Sequence, residues 1–175
     1  GNMVEQILSL SLERKKVFKL KFERIDLNEL TGKIVEQQTI KSSKAFHVCR
    51  KFTPDTICLE ADRTHLYNIL SNILDNAIKY SGDDPQISIT AEETDGVISI
   101  CITDNGIGIA EEHLSHIFDK FYRIPNENRA PVKGYGIGLF YVKTMIQKHS
   151  GTIRVESHPG EGSSFIITLP QTHER

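Results

Sequence analysis

Asparagines recur every fourth residue in the segment of residues 63–80, at Asn68, Asn72 and Asn76, and Lys79 follows them closely. In a helix this spacing places the amides along one side. Amide oxygens suit Mg²⁺ and an ammonium suits phosphate oxygens. Asparagine is a poor helix former, so the stripe costs roughly 1–2 kcal/mol relative to alanine. We therefore predict a binding role for Asn72 and Asn76, whereas for Asn68 alone a solvated polar face is the favoured interpretation.

A buried carboxylate is predicted at the end of the strand over residues 97–104. Every second residue of this strand is isoleucine, and Asp104 continues the same face. An unpaired carboxylate there is costly, and the exocyclic amine of an adenine would supply its donor; capping of the next turn is the simpler alternative. Gly106 and Gly108 favour binding because glycine permits positive φ and close approach of a flat base. A Rossmann fingerprint fits poorly, since Glu111 stands where it needs a third glycine.

A third segment, Gly134-Tyr-Gly-Ile-Gly138, stands directly before an apolar stretch that is typical of a helix. Glycine backbone followed by a helix N-terminus is a ready site for an anion. For any one such turn, a flexible linker ahead of a helix is the simpler alternative. Together and in this order, the amide stripe, the buried carboxylate and the glycine turn indicate a site for a magnesium-bound nucleoside triphosphate.

The elements that must position these segments follow from hydrophobic periodicity and turn residues. Residues 105–135 are predicted as a long loop with a short helical piece near 111–121, which is typical of a lid. In the first strand we expect Phe18, Leu20 and Phe22 to share one face. We predict that strand over 18–25, a helix from a cap at Asp26 or Asn28 to about Lys44, strands over 46–52 and 56–60, a helix over 63–80 capped by Asp62, a hairpin over 86–103 turning at 94–96, a helix over 138–149 and a closing hairpin over 151–169.

The composition excludes several classes of protein. The 175 residues, 38% hydrophobic and 25% charged, suit one domain or one domain with a short appendage. A net charge of −2 with scattered Lys and Arg argues against a nucleic-acid partner. The cysteines Cys49, Cys58 and Cys101 lack metal-ligand spacing and indicate reduced thiols. No apolar run reaches the ~18 residues of a membrane span, and no signal peptide is visible.

The order and the residues of these segments resemble those of the catalytic ATP-binding domain of bacterial sensor histidine kinases. That domain belongs to the superfamily of gyrase, Hsp90-type chaperone, histidine kinase and MutL mismatch-repair ATPases. Residues 72–80 resemble its N box, 104–109 its first glycine box, 118–123 its F box and 134–139 its second glycine box. We accordingly expect an α+β fold, a two-layer α/β sandwich of the Bergerat type. Its sheet would be mixed and mostly antiparallel, with three helices on one face and a long ATP lid.

The resemblance implies roles for individual residues, with ATP and Mg²⁺ as cofactors. Asn76 would ligate Mg²⁺, and Asp104 would accept from the adenine amine. Asp75, Asn76 and Lys79 would be catalytic, with Asp75 helping to activate the accepting histidine. Phe118 and Phe121 are expected to anchor the lid, while Arg129 and Lys133 are alternatives for a second lid cation. The nucleotide-binding positions implied are Asn72, Asn76, Lys79, Tyr80, Asp104, Gly106, Gly108, Ile109, Arg123, Gly134, Gly136, Gly138 and Leu139.

The family phosphorylates a histidine in a separate helical hairpin, and none of the seven histidines here has the context of that motif. We therefore expect residues 1–17 to be a cloning remnant and the tail of an upstream dimerisation helix, and 18–175 to be the catalytic domain. The expected partners are the dimerisation and phosphotransfer domain of the same parent, a response-regulator receiver domain, and a second copy in a homodimeric parent. The resemblance places the domain in the cytoplasm, as part of an inner-membrane sensor.

Two other functions are weighed beside this one. The first is a conformational ATPase of the chaperone or mismatch-repair kind, in which the nucleotide clamps a dimer and water is the nucleophile. The F box and the late second glycine box argue against it. The second is a degenerate kinase that only docks a partner, and the presence of Asn76, Asp104 and the glycines argues against degeneracy.

Overall fold

The computed structural model describes residues 19–125 and 135–172. The predicted helix over 63–80 and both predicted hairpins are confirmed within one or two residues at each end. The elements of the described part are β1 Phe22–Asp26, α1 Leu27–Lys41, β2 His47–Thr53, β3 Cys58–Asp62, α2 Arg63–Tyr80, β4 Gln86–Thr94, β5 Val97–Asp104, α3 Glu111–Leu114, α4 Gly138–Lys148, β6 Thr152–His158 and β7 Gly162–Pro170.

Five strands form the main sheet, in the order β2-β4-β5-β7-β6. The β2–β4 pair is parallel, and the other three pairs are antiparallel. The long helices cover one face: Ile98, Ile100 and Ile102 of β5 are completely buried on that side, whereas Cys101 and Thr103 on the other side are partly exposed. This two-layer arrangement confirms the expected fold class, and it places the end of β5 under the helical layer.

The β4–β5 hairpin is set by its turn residues. Asp95 and Gly96 have φ angles of 52° and 76°, as a two-residue turn between twisted antiparallel strands requires. The register pairs Ile87 with Asp104 at the open end of the hairpin. The turn therefore fixes where Asp104 emerges from the sheet.

The first strand differs from its prediction. β1 begins only at Phe22 and pairs with β3 in a separate two-stranded sheet. Phe22 is 41% exposed, and the residue of β1 that reaches the core is Ile25, which lies opposite Leu59. The strand predicted over 18–25 is therefore shorter at its start and ends at Asp26, where α1 follows at once. Phe18 lies outside the described residues.

Two helices are shorter than predicted. α1 ends at Lys41 rather than near Lys44, because the Ser42 backbone turns into an extended conformation and its N–H bonds the Gln38 carbonyl. The helical piece expected near 111–121 is a single turn, α3, followed by irregular turns. The N-terminal cap at Asp26 is confirmed, since its carboxylate accepts from the N–H groups of Asn28 and Glu29 at 2.8 and 3.1 Å.

Candidate nucleotide-binding site

The asparagine stripe lies where α2 faces α4. The Asp62 carboxylate caps α2 by accepting from the His65 N–H at 3.1 Å, and the buried Leu and Ile side chains of the helix fix its rotation. Two contacts cross to α4: His65 Nδ1 bonds the Tyr141 hydroxyl at 2.7 Å, and Asn72 Oδ1 lies 2.9 Å from where a side chain on Gly138 would begin. The interface between the two helices is therefore polar at both of these points.

Asn68 lies between these contacts and is buried, with 3% of its surface exposed. Asn72 Nδ2 donates to the Asn68 carbonyl at 2.7 Å. The interpretation of Asn68 as part of a solvated face is therefore wrong. The reason is tertiary: α4 covers this side of α2, and the spacing within α2 carries no information about that neighbour.

The start of α4 is open to an anion. Ile137 stands at the N-cap position and its side chain supplies no cap, which suits the first N–H groups of the helix to an anion. Gly138 lets Asn72 approach, and Leu139 packs partly buried against the core. Gly136 has a φ of +67°, and a Cβ there would lie 2.7 Å from the Phe121 carbonyl carbon. Gly134, predicted to bind, lies outside the described residues, as do Arg129 and Lys133.

The F box holds this glycine turn in place. The Phe121 N–H donates to the Gly136 carbonyl at 2.8 Å, and the buried Phe118 ring meets Phe165 edge-on at 6.5 Å. Phe118 is confirmed as an anchor. The Phe121 ring is not one, because it is 62% exposed with the Lys120 amine 4.9 Å from its centre. Arg123 follows on the surface near the end of the described part of the lid.

Asp104 is 7% exposed and sits under the helical layer, as predicted. Its Oδ1 accepts from the Gly106 N–H at 2.7 Å. Burial raises the pKa of this carboxyl, and backbone hydrogen bonds from Gly106 and Ser163 oppose the rise. The Ile107 N–H donates to the Tyr80 carbonyl at 3.1 Å. The first glycine box is therefore joined to the end of the asparagine-bearing helix, where the Tyr80 side chain is exposed.

The last hairpin backs the first glycine box, and sequence reasoning assigned it no part in the site. Gly108 has a φ of +69°, and a Cβ there would lie 1.9 Å from the His158 carbonyl oxygen. The Ile109 N–H donates to Ser157 Oγ at 2.8 Å. A Cβ on Gly162 would meet the Asp104 carbonyl oxygen at 1.9 Å. The sequence feature that could have indicated this role is the pair Gly160 and Gly162 in the β6–β7 turn. Its connection to Asp104 depends on packing between segments distant in sequence.

The two charged residues of the N box contact each other. The Asp75 carboxylate pairs with the Lys79 amine one helical turn later, and Lys41 of α1 brings its amine to 3.9 Å from Asp75 Oδ1. All three side chains are partly exposed. The Lys79 amine is therefore paired within α2.

A groove of about 470 Å³ borders Asp104 and is also lined by residues of β2, β4 and β5. Its polar groups largely satisfy one another: Asn105 Oδ1 accepts from the Gln86 N–H at 2.9 Å, and Thr103 Oγ1 bonds Ser164 Oγ at 2.9 Å. On the helical face, Asn72 lies against Gly138 at the start of α4, and Ile107 of the first glycine box bonds the end of α2 at Tyr80.

Carboxylate, thiol and imidazole groups do not build a metal centre in the described ranges, where no three of them lie close enough to hold an ion. A metal at the helical face would therefore depend on amide oxygens and on the phosphates themselves. In residues 19–125 and 135–172 there is also no helix long and apolar enough to cross a membrane.

A protein-family profile described as "Histidine kinase-, DNA gyrase B-, and HSP90-like ATPase" matches residues 61–173, well over half of the chain. The chain belongs to this ATPase family. Within it, the chain is the catalytic ATP-binding domain of the sensor histidine kinase kind. It is 38% identical over 170 residues to the sensor protein RprX of Bacteroides fragilis, with 95% of the chain and 33% of that protein aligned. It is 32% identical over 170 residues to the sensor-like histidine kinase SenX3 of Mycobacterium bovis, with 97% of the chain and 42% of that protein aligned.

Solved structures agree with this assignment. The catalytic domain of histidine kinase ThkA, in a nucleotide-free form, superposes with a TM-score of 0.76 at 27% identity, covering 87% of this chain and 97% of that one. ThkA in complex with the response regulator protein TrrA superposes with a TM-score of 0.74 at 26% identity, covering 97% of this chain and 47% of that one. The chain spans only a third to two fifths of the length of RprX and SenX3.

Proposed function

We propose that this domain transfers the γ-phosphoryl group of ATP to a histidine on a helical dimerisation domain outside the chain, in two-component signalling. The observation that carries the proposal is a chain of contacts: Asn72 of α2 lies against Gly138 at the start of α4, and Ile107, just after the buried Asp104, bonds the Tyr80 carbonyl at the end of α2. Residues 18–175 would form the catalytic domain, and residues 1–17 the end of the upstream segment.

Adenine recognition is assigned to Asp104. Its carboxylate keeps acceptor capacity beyond the bond from Gly106, so it can accept a hydrogen bond from the 6-amine of adenine, where guanine carries a carbonyl. Gly106 and Gly108 form the floor, because any side chain at either position would displace backbone. Ile109, which packs partly buried against the core, borders the base, and the exposed Tyr80 borders the ribose side.

The phosphates are assigned to the junction of α2 and α4. Gly136, Gly138 and Leu139 would bracket them at the start of α4, Gly134 would lie just before, and Arg123 would reach them from the base of the lid. Asn76 would hold Mg²⁺ through its amide oxygen, with Asn72 beside it. This donor set fits the metal because hard cations take neutral oxygen ligands and phosphate oxygens together. When bound, the ion would neutralise phosphate charge.

Phosphoryl transfer depends mainly on positioning and on charge neutralisation. A nitrogen of the accepting histidine attacks the γ-phosphorus, the bond to the bridging oxygen breaks, and ADP leaves. Lys79 stabilises the phosphate charge after it parts from Asp75. The carboxylate released in this way can then accept the imidazole proton, which gives Asp75 its role in activating the acceptor.

The partners follow from the same proposal. The parent protein would be a homodimer whose catalytic domains stand on the cytoplasmic side of a membrane sensor. After autophosphorylation, the aspartate of a response-regulator receiver domain would take the phosphoryl group. The similarity to ThkA, whose complex with the response regulator protein TrrA has been solved, supports this choice of partner.

One experiment tests the function in two stages. Titration with Mg-ATP should show saturable binding, and addition of a separately prepared histidine-bearing hairpin from the same parent should give labelled phosphohistidine. Steady hydrolysis of ATP without any acceptor would favour the conformational ATPase instead. Absence of adenine nucleotide binding would favour an interaction module.

A further inference from the structure

Asn68 carries a buried side-chain amide, with 3% of the residue exposed. In the ranges 19–125 and 135–172 no group hydrogen-bonds to this amide, although the backbone carbonyl of the same residue accepts from Asn72. A buried amide without a hydrogen bond is strongly unfavourable, and native proteins satisfy nearly all such groups with protein, water or ligand. A small polar molecule bound beside Asn68 would supply the missing hydrogen bond.

Its place in the fold points to the phosphate site. His65, Asn68 and Asn72 are spaced by three and four residues, so they share one side of α2. His65 bonds Tyr141 of α4, and Asn72 lies against Gly138 at the start of the same helix. The Asn68 amide consequently lies one helical turn below Asn72, under the first turns of α4.

We propose that Asn68 holds an ordered water that belongs to the hydration shell of the Mg²⁺–phosphate group, and that it acts as a positioning residue behind Asn72 and Asn76. The inference rests on the proposed function. Magnesium retains several waters when few protein oxygens bind it, and the described residues offer no carboxylate cluster that would replace them. A metal-bound water donates hydrogen bonds, and the Asn68 amide oxygen is a buried acceptor.

The proposal predicts opposite effects on stability and on binding. Asn68→Leu keeps the number of side-chain heavy atoms, removes the unpaired amide and improves helix propensity. The Tm of the nucleotide-free domain should rise by about 2–4 °C. The same variant should weaken Mg-ADP binding about tenfold, measured by calorimetry, because it cannot hold the water. The loss should shrink when EDTA removes the metal.

Gln38→Leu is the matched control. Gln38 of α1 is also a buried amide, 4% exposed. Unlike Asn68, its Nε2 donates to the Ser71 hydroxyl of α2 at 3.1 Å and to the Ser71 carbonyl at 3.3 Å. This substitution should lower Tm and leave Mg-ADP affinity unchanged. Asn68→Ala serves as a second test variant, since its smaller side chain fits without displacing α4 and it should lose the same affinity.

Unchanged Mg-ADP affinity in both Asn68 variants overturns the proposal, and so does a loss of equal size with and without Mg²⁺. A lower Tm for Asn68→Leu together with unchanged affinity assigns the amide a purely structural role. A wild-type domain that bound no Mg-ADP would overturn the proposed function itself, and with it the role of Asn68.

Discussion

Asp104 carries a carboxylate into a place that water reaches poorly, and backbone N–H groups of Gly106 and Ser163 hold it there. Burial raises its pKa because the charged form loses hydration. This free-energy cost of burying a charged carboxylate falls at the position where the adenine amine is expected to bind. Asn68 shows the same conflict between stability and binding, with an amide in place of a carboxylate.

Asp104→Asn should weaken ADP binding by about 10–100-fold, the range expected for a hydrogen bond to a charged group, and should reduce selectivity for adenine over guanine. The raised pKa fixes the sign of the pH dependence: the carboxyl protonates at a higher pH than an ordinary Asp, so wild-type affinity should fall as pH drops through that raised value. Calorimetry with ADP and GDP across pH measures both effects. Unchanged ADP binding in the variant would refute the adenine role.

Asn76→Ala should weaken Mg-ATP binding by at least about tenfold, as expected when a group that positions a metal is removed. Metal-free ADP should bind the variant almost as well as the wild type, because the base contact at Asp104 is untouched. Titrations with and without EDTA separate the two. Equal losses in both conditions would contradict the metal role.

The helices and turns show how far local sequence signals reach. The span of α2, its cap at Asp62 and the burial of Asp104 were predicted correctly, because capping and strict alternation act within a few residues. The burial of Asn68 and the close contact of Gly108 with the β6–β7 turn were not predicted, because both depend on packing between segments distant in sequence. The single turn of α3 was overestimated because a charged, irregular segment carries weak periodicity.

A glycine series tests how the first glycine box is fitted to the last hairpin. Gly160→Ala should cost about 1–2 kcal/mol from its φ of +83° alone, since nothing lies near its added methyl. Gly108→Ala adds a backbone collision and should cost more than about 3 kcal/mol of unfolding free energy. Gly82→Ala, with open space and no positive φ, is the control and should be nearly neutral. Denaturant unfolding measures all three, and equal costs at Gly108 and Gly160 would argue against the close fit.

Across the molecule, a series of hydrogen bonds joins the segment before β1 to α2 and α4. The Lys21 N–H donates to Asp62 Oδ2 at 2.8 Å, and the Asp62 N–H donates to Nε2 of the buried His149 at 3.0 Å. On α2, one turn from the cap, the His65 imidazole bonds Tyr141. The N-terminal end of α2 is thereby bonded to Tyr141 in the first turn of α4 and to His149 just after the end of that helix.

Burial lowers the pKa of His65, while the nearby Asp62 carboxylate opposes that shift. The folded domain therefore disfavours the protonated form, so its stability should fall as pH drops below about 6.5, the ordinary pKa of histidine, where the unfolded chain takes up the proton. His65→Gln removes the titration and should flatten the fall of Tm between neutral and mildly acidic pH. His47→Gln, at a largely exposed position, is the control and should keep the wild-type slope; an unchanged slope in His65→Gln would contradict the assignment.

Every position assigned to the nucleotide precedes residue 140, yet β7 lies between β5 and β6 in the main sheet. A shortened chain that stopped after α4 would retain all four motifs and lose both the strand beside Asp104 and the turn beneath Gly108. Such a fragment would keep the proposed nucleotide-binding residues but lose the β6–β7 hairpin that supports them. Removal of the last two strands should abolish ADP binding as completely as removal of the motifs themselves.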